Sequence, residues 1–253
     1  MKFFDQIEKF YCLNISDKRK SNIQKYEKLM NTKFDTSLSV NGFKLDKNQL
    51  KKDNIICEDY NKSLGAIGCT LSFGNIYKDI VKNKYKYSII FEDDITWNYQ
   101  NYKTFNLVDQ LEKIKEIPND WDLIYLGTRS KGGSRKVNKN IYKLNCGKIQ
   151  EKYKEKTFEC WKESLQTNKL KNHRNFGGLH AILITYNGAQ EILEHYDPIM
   201  TISDGIMSYT IQSHKINHYA FIPSLFNQLS NRGENSKHWH SLTGSDANEF
   251  KKI

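Results

Sequence analysis

The sequence predicts an α/β fold, with a mostly parallel central sheet flanked by helices, and three observations support this. Short runs rich in β-branched and aromatic residues alternate with stretches whose apolar positions recur at helical spacing. Several of those short runs are apolar throughout, the pattern of strands buried on both faces. The 253 residues, 38% of them apolar, also suffice for a core without disulfide staples, because a chain of this length buries roughly 70–75% of its unfolded surface.

Phe10 to Ile15 reads as the first strand, and the positions of Ile23, Tyr26, Leu29 and Met30 after Asp17 suit one face of a helix. From Ser63 to Val81, Leu64, Ile67, Leu71, Ile76, Tyr77, Ile80 and Val81 fall mostly at helical spacing, and Gly65, Gly68 and Gly74 on that segment favour close packing. Tyr87 to Phe91 is the next strand and stops abruptly at Glu92-Asp93-Asp94. Thr104 is a helix cap ahead of Phe105, Val108, Leu111 and Ile114, with Pro118 beyond the end. Trp121 to Leu126, Leu179 to Thr185 and Tyr219 to Ile222 complete the expected strands, the second turned into a helix by Asn187-Gly188. No repeat or linker divides the chain, so residues 1–253 are expected to form a single domain.

Gly at 14 and Pro at 3 exclude collagen-like and Pro-rich chains, and five scattered cysteines without a C-x-x-C pair suggest neither a zinc knuckle nor a disulfide framework. No run approaches a membrane span, and acids near the N-terminus interrupt any signal-like core. The expectation is a cytoplasmic or otherwise reducing compartment. The net charge of +10 is concentrated locally: ten Lys and Arg lie between Arg129 and Lys156, opposed by Glu151 and Glu155. With Gly132 and Gly133 inside it, the segment at about 128–175 reads as a basic, irregular excursion. No nucleic-acid-binding motif accompanies the charge, so no nucleic-acid partner is expected. The oligomeric state is not legible.

The acid triplet Glu92-Asp93-Asp94 at the end of an apolar strand carries the most chemistry. Adjacent carboxylates repel one another unless a cation or hydrogen-bond donors neutralise them. Oxygen ligands at one edge suit Mg²⁺ or Mn²⁺, which usually also take oxygens from a substrate phosphate. An acidic turn capping the next element is the alternative. His180, inside an apolar run, reads as a core histidine, and Trp97 and Trp239 as packing residues that also have the shape to stack on a sugar.

Gly65 to Ser72, followed about twenty residues later by Ile90 to Ile95, resembles the paired signature of glycosyltransferase family 25. Leu13 to Arg19, Trp121 to Gly127, Gly178 to Leu193, Ile202 to Asp204 and Pro223 to Gln228 are similar to further family segments, in the same order, over roughly residues 8 to 240. Two positions depart from the pattern. Ala66 stands where the family usually has an acid, and Phe73 where it usually has a His.

The resemblance implies a GT-A-like, Rossmann-type domain in which an acidic motif binds Mn²⁺ or Mg²⁺ and a UDP-sugar. It implies transfer of a hexose, galactose or glucose, to a hydroxyl acceptor on a glycan or protein, with inversion. Asp94 is the first-choice metal ligand, Glu92 serves the metal or the ribose, and Asp93 is held in reserve for the cofactor. Asn14 and Arg19 are nucleotide candidates. Asp204 is the candidate base, although Asp at a helix start is commonly a cap. His238 and His240 offer one further metal ligand near the C-terminus; two residues apart on a strand they point to opposite sides, so at most one faces the metal. A catalytically weakened sugar-nucleotide binder and a metal-dependent phosphohydrolase or nuclease are the alternatives.

Overall fold

The computed structural model describes residues 1–128, 134–144, 178–213 and 216–229. In chain order it forms β1 (Lys9–Leu13), α1 (Lys20–Met30), α2 (Lys47–Lys52), α3 (Leu64–Asn83), β2 (Tyr87–Glu92), β3 (Ile95–Trp97) and α4 (Leu107–Glu112). Then come β4 (Leu123–Gly127), β5 (Ser134–Lys136), β6 (Ile141–Leu144), β7 (Ala181–Thr185), α5 (Tyr186–Leu193), α6 (Ser203–Gln212), β8 (His218–Phe221) and β9 (Phe226–Gln228).

Seven strands form one sheet in the order β1-β2-β7-β4-β8-β6-β5, and β3 pairs with β9 in a separate ribbon. The expected α/β layering holds, but the sheet is mixed rather than mostly parallel. β1 with β2 and β4 with β8 run parallel, whereas β7 lies antiparallel between β2 and β4, and the β5–β6 hairpin adds antiparallel strands beyond β8. An apolar run buried on both faces looks the same in either direction, so composition carries no information about the sense of β7.

Side chains alternate across the sheet with the period of two that strands impose. Phe10, Cys12, Ile89, Phe91, Ile124, Leu126 and Leu183 face a core shared with α1 and α4. Tyr11, Leu13, Ile90, Leu123, Tyr125, Ile182 and Ile184 face the opposite core, against α3, α5 and α6. Gly68 lets α3 approach closely. A Cβ there would sit 2.5 Å from the backbone nitrogen of Gly42, so the loop before α2 rests directly on the helix.

Three local expectations change. Thr104 does not cap α4, which starts after Asn106; the Thr104 carbonyl accepts instead from the Trp97 indole at 3.0 Å. Asn187 and Gly188 lie inside α5, whose cap is Thr185, its hydroxyl accepting from Gly188 N at 3.0 Å. Of the basic segment at about 128–175, residues 134–144 form a regular hairpin, because β5 and β6 pair there and β6 joins the sheet through β8, while 129–133 and 145–175 lie outside the described residues. Ile141 and Leu144 anchor this hairpin in the two cores while the residues between them are half-buried, a pattern hidden among lysines. Among the described residues no helix is long and apolar enough to cross a membrane.

Candidate functional site

A cavity of about 400 Å³ opens at the carboxyl ends of the parallel pair β1–β2, between the first turns of α3 and the start of α6. Strand ends supply groups here because the chain must leave the sheet, freeing side chains from the packed layers. Asn14, Arg19, Glu92, Asp93, Asp94 and Asp204 all line it. His238, His240 and Trp239 lie outside the described residues.

Asp93 and Asp94 are only 4% and 3% exposed, so each carboxylate needs a partner. Arg19 supplies one, its guanidinium donating to Asp93 Oδ1. Gln228, brought alongside by the β3–β9 pairing, donates from Nε2 to Glu92 Oε2 at 2.6 Å. Asp94 differs: its Oδ1 is buried without a hydrogen-bond partner among the described residues.

The electrostatics follow from this crowding. Burial, reinforced by Asp94, Asp204 and Asp93, pushes the Glu92 carboxyl well above the usual range. For Asp93, burial outweighs the Arg19 charge and leaves the group pushed up to about 6. Burial likewise drives up the Cys69 thiol on the cavity wall, with Glu92, Asp204 and Asp93 adding to the effect. Carboxylates crowded in this way ionise together only when positive charge joins them, so the cavity favours a cationic guest.

Asp204 lies in the first turn of α6, and its Oδ2 accepts from Gly178 N at 3.2 Å. No side chain of the N-cap Ile202 caps this helix; instead Thr70 of α3 reaches across, its hydroxyl accepting from Ser203 N at 3.2 Å and donating to Ala66 O at 2.9 Å. Asn14 shapes the opposite rim, its Oδ1 accepting from Ser16 N and its own N–H donating to Ser39 Oγ. Ala66 and Phe73 both line the wall. His180 is a core residue whose Nε2 lies 3.1 Å from Phe226 O, and Trp97 is fully buried.

Among the described residues no group of three or more His, Cys, Asp and Glu is arranged to hold a metal ion unaided. A cation that keeps waters and arrives with a diphosphate asks for less, typically one or two carboxylates. Asp94, with its unpartnered buried oxygen, and Glu92 beside it fit that smaller requirement.

Sequence reasoning overlooked Thr70 and also Asn22, whose side-chain amide donates to Asp93 O and Ile95 O beside the cavity. Asn22 carried a signal, since it follows Arg19 by three residues and so shares a helix face with it. Thr70 carried none, because its role depends on the approach of a helix more than 130 residues away in sequence.

A family model described as glycosyltransferase family 25 (LPS biosynthesis protein) matches residues 8–207. Curated relatives include procollagen galactosyltransferase 2 of Homo sapiens, 29% identical over 99 residues, which is 36% of this chain and 16% of that protein. Procollagen galactosyltransferase 1 of Danio rerio is 27% identical over 135 residues, covering 50% of this chain and 22% of the relative. Procollagen galactosyltransferase 1-A of Xenopus laevis is 38% identical over 65 residues, 26% of this chain and 10% of the relative. The matched segments thus span less than a quarter of each relative's length.

Proposed function

The chain belongs to glycosyltransferase family 25, and from that premise we propose that it transfers a hexose, galactose or glucose, from a UDP-sugar to a hydroxyl on a glycan or protein acceptor, with inversion. The observation that carries the reading is the buried Oδ1 of Asp94, unpartnered among the described residues, in a cavity that Asp204 also lines. The names of the procollagen galactosyltransferase relatives support the choice of hexose and acceptor.

In this reading Asp94, with Glu92, would hold Mn²⁺ or Mg²⁺ alongside the donor diphosphate. Bound there, the cation supplies Lewis-acid stabilisation of the charge that builds on the departing UDP. Arg19 keeps Asp93 neutralised, so that a third bare carboxylate does not oppose the diphosphate. Asp204 accepts the proton of the acceptor hydroxyl as its oxygen bonds to the anomeric carbon and the bond from that carbon to the diphosphate oxygen breaks. Gly178 N–H orients the Asp204 carboxylate, and Thr70 fixes the helix start beneath it. Asn14 borders the cavity where the nucleotide lies.

Purified protein supplied with UDP-galactose or UDP-glucose, Mn²⁺, and oligosaccharide or hydroxylated-peptide acceptors should release UDP and yield a glycosylated product. Asp94→Asn should lower turnover by roughly 100-fold or more, the scale of losing a group that acts on transition-state charge. Equal turnover by parent and variant would refute the assignment.

A further inference from the structure

Asn22, in the first turn of α1, makes an unusual pair of contacts. Its amide nitrogen donates to Asp93 O and to Ile95 O, each at 2.9 Å, so one side chain holds the main chain on both sides of Asp94. Between them Asp94 O accepts from Leu229 N at 2.8 Å. Three successive carbonyls are therefore tied down, while Arg19, three residues before Asn22, holds the Asp93 side chain. None of these bonds uses the Asp94 carboxylate, whose Oδ1 has no partner among the described residues although Asp94 is buried.

An acidic turn is a poor candidate for spontaneous order, since adjacent carboxylates repel and Asp93 and Asp94 fall between β2 and β3, outside both strands. Fixing the Asp94 backbone leaves only two side-chain torsions to be restricted on binding. That lowers the entropic cost of engaging a guest. We propose that Asn22 is a positioning residue that clamps the turn around Asp94 and so presets its carboxylate for a divalent cation carrying a diphosphate. The inference rests on the reading of Asp94 as a cation ligand given above. Outer partners of this kind typically change metal affinity by about 10–100-fold when removed.

The test measures Mn²⁺ binding directly, from the electron paramagnetic resonance signal of free Mn²⁺ titrated with protein and UDP, without turnover. Asn22→Ala should weaken Mn²⁺ binding about 10-fold, within the range of such outer-partner effects, and raise the donor KM more than it lowers kcat. Tyr11→Phe, which removes a 2.7 Å bond to Asp79 remote from the cavity, is a control for general loosening and should leave Mn²⁺ affinity at the parent value. Should Asn22→Ala fail to fold, Asn22→Ser, whose hydroxyl can hold one carbonyl, should show a smaller loss in the same direction. Parent-like affinity in the folded Asn22 variant, beside a loss in Asp94→Asn, overturns the clamp alone. An equal loss in Tyr11→Phe also overturns it. Undiminished Mn²⁺ binding by Asp94→Asn overturns the cation reading and the clamp with it.

Discussion

The two carboxylates assigned to chemistry are held in opposite ways. At Asp94 the backbone is gripped on both sides by Asn22 and in the middle by Leu229, while a carboxylate oxygen is left bare. At Asp204 the carboxylate itself accepts a hydrogen bond from Gly178 N–H, and the support beneath it is a helix start completed by Thr70 from another helix. The first arrangement suits a guest that brings positive charge to a preset oxygen. The second suits a group that must be oriented while ionised and then take a proton. In the proposed reading, the tied backbone with a bare side chain is the binding corner, and the oriented side chain on a helix terminus is the reacting one.

The largest effects should separate the two corners. Asp204→Asn is expected to reduce kcat by about 100- to 10,000-fold, the usual range for losing a general base, while leaving Mn²⁺–UDP binding close to that of the parent. Asp94→Asn should instead lose both, and calorimetry with UDP and Mn²⁺ beside turnover would distinguish them. If Asp204→Asn abolished Mn²⁺ binding as well, the two corners would be one site and the contrast would break.

A smaller change sharpens the comparison. Thr70→Val keeps the volume but removes the bonds to Ser203 N and Ala66 O, leaving a buried N–H at the start of α6 unsatisfied. It should cost about 1–2 kcal/mol of stability in a denaturant melt and lower kcat several-fold, with Mn²⁺ affinity unchanged. An effect on Mn²⁺ affinity instead would show that Thr70 serves the wrong corner.

The smallest effect lies away from both, at the opposite end of β1. Burial works against ionised Asp35, but hydrogen bonds from Lys9 and Ser37 more than offset it and hold the carboxyl below its ordinary 3.8. A depressed folded pKa means that the contribution is complete above 3.8 and disappears as pH falls through the lower folded value. Lys9→Met should therefore cost about 0.5 kcal/mol at neutral pH, with the gap between variant and parent melts closing in acid. A gap that widened in acid would reverse the sign.

Much of this architecture was legible from the residues. Tyr87–Glu92 is a strand because a short run rich in β-branched and aromatic residues can be buried on both sides, and its end was marked because charged residues leave a packed layer. Glu92, Asp93 and Asp94 stood out because three acids in succession need neutralising partners. The partners were not legible. Arg19, a nucleotide candidate that lines the cavity, also donates to Asp93, 74 residues away, and Gln228 reaches Glu92 from 136 residues away. The hairpin of β5 and β6 was hidden because its two core anchors are spaced among lysines that dominate local composition.

The sequence by itself determined which segments become strands and helices, where the acids fall at a strand end, and which family the chain resembles, because those properties depend on local periodicity and on order along the chain. Tertiary structure alone decided the direction of β7, the different hydrogen-bond partners of the three adjacent acids, and the bonds that Asn22 and Thr70 make across the fold. Each of these is a pairing between distant segments, and the free energy of such a contact exists only once the intervening chain has brought both partners out of water.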